Sequence, residues 1–155
     1  MTKRIRLRDV VEDDLPIFYA HQLDPDAVQM AAFPSRPRDA FMAHWARILA
    51  NTGSIEQTIV VDGRVAGNIV CYEQDGEREV GYWLGKEYWG QGVATEALAQ
   101  LLAQVQTRPL YAHVARHNVA SRRVLEKCGF RVVREETGLP DSSGAPVEEL
   151  ILILS

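Results

Sequence analysis

Two Asp-Gly pairs, Asp62-Gly63 and Asp75-Gly76, constrain this chain more than any other local feature. Each separates runs rich in β-branched and aromatic residues: IEQTIVV (55–61) before the first, residues 64–73 between them, and EREVGYWLG (77–85) after the second. A two-residue type I′ turn needs positive φ at both central positions, which Asp followed by Gly tolerates, and its twist suits paired strands. The middle of the chain therefore reads as an antiparallel meander. A parallel β-α-β layout does not fit there, because its crossovers need a dozen or more residues between strands.

The flanks alternate differently. KRIRLR (3–8) sets Ile5 and Leu7 between charges and reads as a first strand. Asp13 and Asp14 offer N-caps to a short helix carrying Leu15, Phe18, Tyr19 and Gln22. Asp24-Pro25-Asp26 interrupts it, and MAAFPSRP (30–37) reads as a Pro-broken loop. A second helix sets Phe41, His44, Trp45, Ile48 and Leu49 on one face, with His44 as a packed, hydrogen-bonded core histidine. After the meander, a helix over about 92–106 carries Ala94, Ala97, Leu98, Leu101, Leu102 and Val105 on one side. A strand at LYAHV (110–114), a helix over about 118–128 ended by Gly129, and strands FRVVRE (130–135) and VEELILIL (147–154) complete the chain. A loop from Gly138 to Gly144 joins the last two strands. The order β-α-α-β-β-β-α-β-α-β-β implies an α+β fold with a mixed sheet and helices on both faces.

Composition narrows the function classes. The 155 residues fit one domain, 1–155, with no internal linker or repeat. Hydrophobic residues at 46% and charged ones at 25% argue against disorder. No apolar run reaches the roughly 18–20 residues needed to cross a bilayer, and the N-terminus lacks a signal-peptide core, so a cytoplasmic protein is expected. Cys71 and Cys128 stand alone, without CxxC or metal-ligand spacing, and read as buried thiols; no metal is expected. Seventeen basic against 21 acidic residues, with no basic block, argue against a nucleic-acid or anionic-membrane partner, while a local anion site stays open.

The segment that carries chemistry is Gly81-Tyr82-Trp83-Leu84-Gly85, Lys86-Glu87-Tyr88, then Trp89-Gly90-Gln91-Gly92-Val93-Ala94-Thr95. A strand ends, a loop turns, and glycines open a helix. Unpaired N–H groups of a first helical turn, with the helix dipole behind them, suit a phosphate or pyrophosphate. The plain alternative is a glycine turn and nothing more. A Walker A loop needs GK[ST] after four spacers, which no segment supplies, so a P-loop NTPase is excluded. A dinucleotide fingerprint would place a third glycine at Thr95 and an acidic ribose ligand after the next strand, where Val114-Ala115-Arg116 stands. Nicotinamide binding is disfavoured.

This segment resembles the acyl-CoA-binding signature of the GNAT acetyltransferase superfamily, [Q/R]-x-x-G-x-[G/A], aligned on Trp89-Gly90-Gln91-Gly92-Val93-Ala94. Downstream, Asn118-Val-Ala-Ser121-Arg-Arg-Val-Leu-Glu-Lys-Cys-Gly129-Phe130 is similar to the N-x-x-S-x-x-x-x-x-K-x-G-F run of the same superfamily. Together with GYWL, the two runs look most like the RimJ/RimL-type branch, the ribosomal-protein N-terminal acetyltransferases. Trp89 departs from the pattern, where Gln or Arg is usual.

The resemblance implies a seven-stranded, mostly antiparallel sheet splayed at its centre, with acetyl-CoA as cosubstrate in the gap. The pantetheine arm would pair with backbone groups of Trp83 and Leu84. The pyrophosphate would rest on the amides of Gln91, Gly92, Val93, Ala94 and Thr95. Asn118 would bond the pantetheine, and Ser121 would lie near the thioester sulfur. Many family members place a tyrosine one turn later, where this chain has Leu125, so attention moves to Ser121 as the group that stabilises the leaving thiolate. Glu79 matches a glutamate that some members use as general base. A base matters because an α-amine with a pKa near 7.7–8.0 is partly neutral at pH 7, whereas a lysine near 10.4 is not. His117 is the alternative base, and His113, inside a strand, reads as structural. Arg122, Arg123 and Lys127 would either meet the ribose phosphate or form a solvated helix face, and Glu96 would repel phosphate if it turned inward.

The acceptor implied is a primary amine, either a peptide N-terminus or a small amine, chosen by the loops at 24–37 and 136–147. The reading from another class is a non-catalytic acyl-CoA-binding or protein-interaction domain of the same fold. A monomer or a homodimer fits equally well.

Overall fold

The structure, a computed structural model, describes residues 3–32, 35–138 and 145–155. Both Asp-Gly turns form as expected. Asp62 and Gly63 take φ of 50° and 83°, and Asp75 and Gly76 take 53° and 80°, positive at both central positions of each turn. They join β2 (Ile55–Val61), β3 (Arg64–Gln74) and β4 (Glu77–Leu84) into the antiparallel meander. On one side β1 (Ile5–Asp9) pairs antiparallel with β2. On the other, β5 (Leu110–Ala115) runs parallel to β4, and β7 (Glu148–Leu154) lies between β5 and β6 (Arg131–Thr137). The described residues form a seven-stranded sheet in the order β1-β2-β3-β4-β5-β7-β6. Its weak point is central, because β4 and β5 meet at one described register pair, Glu79 with Tyr111, and then diverge.

Alternation along each strand splits the core into two layers. Ile59, Ile69, Val80, Leu110 and Leu152 face α4 (Val93–Gln104) and α5 (Val119–Lys127), which contribute Leu98, Leu101 and Leu125. The opposite face is covered by α1 (Leu15–Gln22), α2 (Pro25–Ala31) and α3 (Arg38–Ala50). There Leu15, Phe18, Phe41 and Trp45 cluster, with the Phe18 and Trp45 rings 5.1 Å apart. Fully burying a side chain of this kind stabilises by about 1.5–3 kcal/mol, so four of them fix α1 and α3 onto the sheet.

Four local expectations need correction. Residues 25–31, expected as an interruption running into loop, form α2. Asp24 Oδ1 accepts from the amides of Asp26 (2.8 Å) and Ala27 (3.2 Å), and Pro25 at the first helical position has no N–H to satisfy. Asp14 turns inward instead of capping α1. Its carboxylate takes two bonds from the Arg8 guanidinium (2.8 and 2.9 Å), one from the Thr58 hydroxyl (2.7 Å) and one from the Val11 amide (3.0 Å). His44 and Cys128 are half-buried, whereas Phe41, Trp45 and Cys71 occupy the core. Phe33 and Pro34 of the expected first loop, and residues 139–144 of the last, lie outside the described residues.

Candidate active site

Divergence of β4 from β5 opens a cleft of about 400 Å³. The end of β4 forms its floor with Tyr82, Trp83 and Leu84, while the first turn of α4 and the exposed side of α5 form one wall. Ala27, Met30 and Ala31 of α2 form the opposite wall. Two contacts tether α2 across the gap. Lys86, just beyond β4, pairs with Asp26, and His117 Nε2, just beyond β5, donates to the Gln29 carbonyl (2.7 Å). That bond commits the Nε2 proton, so this nitrogen of His117 is not a free base.

The start of α4 is built for close approach. Gly90 and Gly92 take φ of 71° and 76°, and among the described residues, chain neighbours aside, no atom lies within 4 Å of where a Cβ would stand on either. Gly92 supplies no side-chain cap, and the first intrahelical bond runs from Glu96 N–H to the Gly92 carbonyl (3.2 Å). The amides of Val93, Ala94 and Thr95 therefore have no acceptor within the helix, and all three residues line the cleft. Their donors and the helix dipole suit an anion. Arg123 and Lys127 line the same cleft, whereas Arg122 pairs with Glu126 (3.3 Å) and Glu96 accepts from Gln100 (3.2 Å), both outside the lining. Gln91 also stays outside, its side-chain amide donating to the Glu87 carbonyl (2.7 Å). Trp89 explains its own departure from the family pattern, since its indole donates to the Leu84 carbonyl (3.1 Å) and pins the loop to the strand end.

The free edge of β4 differs in detail from the expectation. A Cβ on Gly67 would stand 2.1 Å from the Trp83 carbonyl oxygen, so that carbonyl faces β3. The Gly85 amide donates to Ala66 across the same ladder (2.8 Å), and strand parity then turns the backbone of Tyr82 and Leu84 toward the gap. Trp83 meets the cleft with its side chain. Its indole Nε1 and His21 Nδ1 are buried with no hydrogen-bond partner among the described residues.

Ser121 faces the cleft from the first turn of α5, where Asn118 caps the helix by accepting the Ser121 amide (3.2 Å). Its hydroxyl lies 2.9 Å from the Tyr82 phenol oxygen. Burial pushes the Tyr82 pKa above the ordinary phenol value, against the opposing pull of Ser121. Reading the sequence did not single out Tyr82. The signal was its parity with Val80 and Leu84, which places it on the α5 side of the sheet. Leu125, at the family's tyrosine position, is buried in the core.

Glu79 sits elsewhere. It is 7% exposed, at the register pair where the strands last meet, and its parity puts it on the face opposite Tyr82. Three residues of strand separate it from Tyr82, about 10 Å at the usual rise. Its carboxylate pairs with His113 Nε2, while Glu149 lies 3.3 Å from Nδ1. Hydrogen bonding to Glu79 raises the His113 pKa to about 9, so the imidazole is cationic at neutral pH. Burial, then the Glu79 charge, pushes the neighbouring Tyr72 phenol up to about 12. Glu77, Glu79 and His113 also bring ligand-type atoms within 4.8 Å of one another, where a metal would have to displace the proton shared by the Glu79–His113 pair. The structure thus gathers Trp83, Leu84, Gly92, Val93, Ala94, Thr95, Asn118 and Ser121 around one cleft and leaves Glu79 and Gln91 outside its lining.

Comparison with known proteins places this geometry. Residues 4–131 match the model of the acetyltransferase (GNAT) domain. "Putative ribosomal N-acetyltransferase YdaF" of Bacillus subtilis (strain 168) is 30% identical over 100 residues, covering 60% of this chain and 55% of that protein. The chain therefore spans little more than half the length of this relative. Spermidine N-acetyltransferase from Vibrio cholerae, solved with CoA and spermine, superposes with a TM-score of 0.81 at 15% identity, over 97% of this chain and 94% of that one. Ribosomal-protein-alanine N-acetyltransferase from Brucella melitensis gives 0.79 at 20% identity, over 96% and 98%.

Proposed function

From the premise that this chain belongs to the GNAT acetyltransferase family, we propose that it moves acetyl from acetyl-CoA to a primary amine, a peptide N-terminus above all. The observation that carries this reading is the open first turn of α4. Three amides with no acceptor within the helix and two glycines face a cleft whose floor is the edge of β4 that has parted from β5. The glycine cradle fits a pyrophosphate, and Arg123 and Lys127 add charge beside it. The backbone of Tyr82 and the amide of Leu84, turned toward the gap, suit an extended amide chain lying along the strand, while the Leu84 carbonyl holds the Trp89 indole.

In this reading the amine nitrogen attacks the thioester carbonyl carbon, a C–N bond forms, and the C–S bond breaks with its electron pair left on sulfur. Ser121 donates a hydrogen bond to that sulfur as charge develops. The proton lost by nitrogen passes to water and, for an acceptor that arrives as ammonium, on to Glu79 at the closed end of the gap. Glu79 lies too far along the strand for direct contact and works through water. Its carboxylate is paired with His113, and an α-amine, partly neutral at pH 7, asks less of a base than a lysine side chain does. The ribosomal acetyltransferase relatives support a peptide N-terminus. The spermidine enzyme keeps small polyamines among the acceptors to be tried.

Two measurements test the proposal. Acetyl-CoA should raise the melting temperature by several degrees at about 100 times its Kd, while ATP and NADH should not. Free thiol should then appear only when an amine is added. Equal shifts with all three ligands would reduce the cleft to a general anion site. Binding without thiol release would favour a non-catalytic acyl-CoA-binding domain.

A further inference from the structure

Tyr82 is a half-buried phenol in the cleft with a serine 2.9 Å away, and nothing in the proposed chemistry yet uses it. We infer that Tyr82 is a positioning residue for the leaving thiolate: its phenol donates to Ser121 Oγ and so turns the Ser121 hydroxyl proton toward the sulfur. The inference rests on the acetyl-CoA reading above. Its geometry comes from two elements that the sequence keeps far apart, β4 and α5.

Only one proton can lie between two hydroxyls. If Ser121 donated to Tyr82, it would have no proton left for sulfur. The reverse direction is favoured chemically, because a phenol is the stronger acid and an aliphatic hydroxyl the better acceptor. Asn118 holds the Ser121 amide and the helix fixes its backbone, so the contact with the Tyr82 phenol is what orients the Ser121 side chain. Leu125 supplies no hydroxyl one turn later. The step needs no proton transfer within the pair. The C–S bond breaks, the pair of electrons stays on sulfur, Ser121 and Tyr82 keep their protons, and the thiolate is protonated by water on release.

Other groups face the same place. Cys128 lies near the Tyr82 phenol, Arg123 and Lys127 line the cleft from α5, and Tyr88 lines it from the turn after β4. From α2 the lining is Ala27, Met30 and Ala31, which carry no charge. Arg123 and Lys127 lower the pKa of any thiol held there, but they do so equally with or without the Tyr82 hydroxyl. A double-mutant cycle separates the two effects.

The experiment titrates the thiol of CoA bound to each protein, read as thiolate ultraviolet absorbance, with CoA affinity measured by calorimetry. Tyr82→Phe should raise the bound-thiol pKa by about half a unit to one unit. Ser121→Ala should raise it at least as much, and the double variant no more than Ser121→Ala alone. Ser121→Thr should restore most of the shift, and kcat of Tyr82→Phe should fall about three- to tenfold with KM for acetyl-CoA unchanged. Tyr82→Met, which fills the space without a hydroxyl, carries the same test if the phenylalanine variant fails to fold. An unchanged thiol pKa in a hydroxyl-less variant that binds CoA normally overturns the inference. So does a Tyr82→Phe shift that persists in full when Ser121 is already alanine. Failure of the wild-type protein to bind CoA at all overturns the acetyl-CoA reading instead, and this inference with it.

Discussion

His113 Nε2 rests against the Glu79 carboxylate at the point where β4 and β5 last pair, so an ion pair closes the narrow end of the gap. This relationship makes the strand histidine part of the site's electrostatics. The hydrogen bond to Glu79 lifts the His113 pKa from its ordinary 6.5 to about 9. A group whose folded pKa is raised stabilises fully below its unfolded value and loses that contribution as pH rises through the folded one. Stability from this pair is therefore complete below about pH 6.5 and fades through pH 9. NMR titration of the His113 ring should find its midpoint near 9, and in Glu79→Gln clearly lower, with Glu149 the remaining acidic partner. A wild-type midpoint at or below 6.5 would show that the pair does not form in solution.

Asp14 works in the opposite sense. Burial alone would raise its pKa, but Arg8, the Val11 amide and the Thr58 hydroxyl together bring it below the usual carboxyl value. Its stabilisation is present above the unfolded value near 3.8 and is lost as pH falls below it. Asp14→Ala strands a buried hydroxyl and half of an ion pair and should cost about 3 kcal/mol in urea unfolding at pH 7. Thr58→Val should cost about 1–2 kcal/mol, since it removes one bond to a charged acceptor. A loss below about 1 kcal/mol for Asp14→Ala would mean that the carboxylate does not hold the turn before α1 against the sheet.

Gly92 and Gly63 make a matched pair of substitutions. Both take positive φ, 76° and 83°, and both have open space where a Cβ would stand. Alanine at either should cost about 1 kcal/mol, because a left-handed backbone is strained for any L side chain. Gly92→Ala should additionally weaken acetyl-CoA binding more than tenfold by intruding on the cradle, while Gly63→Ala should leave affinity unchanged. Equal affinities would show that Gly92 serves only the turn.

Glu79 and Ser121 divide the proposed chemistry, and pH separates them. Glu79→Gln should reduce kcat/KM most at low pH and recover as the amine deprotonates in solvent. Ser121→Ala should lose about ten- to a hundredfold at every pH, because its donor acts on the leaving sulfur. A flat, wild-type-like profile for Glu79→Gln would leave deprotonation to solvent.

Much of this architecture is legible in the residues themselves. Asp62-Gly63 and Asp75-Gly76 specify the meander, because positive φ at two successive positions is a local demand that the chain either meets or does not. The anion cradle at Gly90–Thr95 is legible for the same reason. Helix α2 was hidden by Asp24-Pro25-Asp26, which reads as a break but is a cap followed by a proline at the one helical position that tolerates it. Asp14 illustrates the converse, since its cap-like position is overridden by Arg8 and Thr58, and Thr58 is 44 residues away. The Tyr82–Ser121 and Glu79–His113 pairs each join side chains more than 30 residues apart, so strand parity narrows the faces but cannot name the partner.

The most direct test of acetyl transfer to an α-amine combines purified protein, acetyl-CoA and three acceptors. These are a peptide with a free N-terminus and no lysine, the same peptide N-terminally blocked and carrying one lysine, and a polyamine. Thiol release is followed continuously, and the products are weighed by mass spectrometry. The expected result is one added acetyl group on the free N-terminus, released in step with CoA, and little on the lysine peptide at neutral pH. Bound acetyl-CoA that yields no acetylated amine with any of the three would contradict the account.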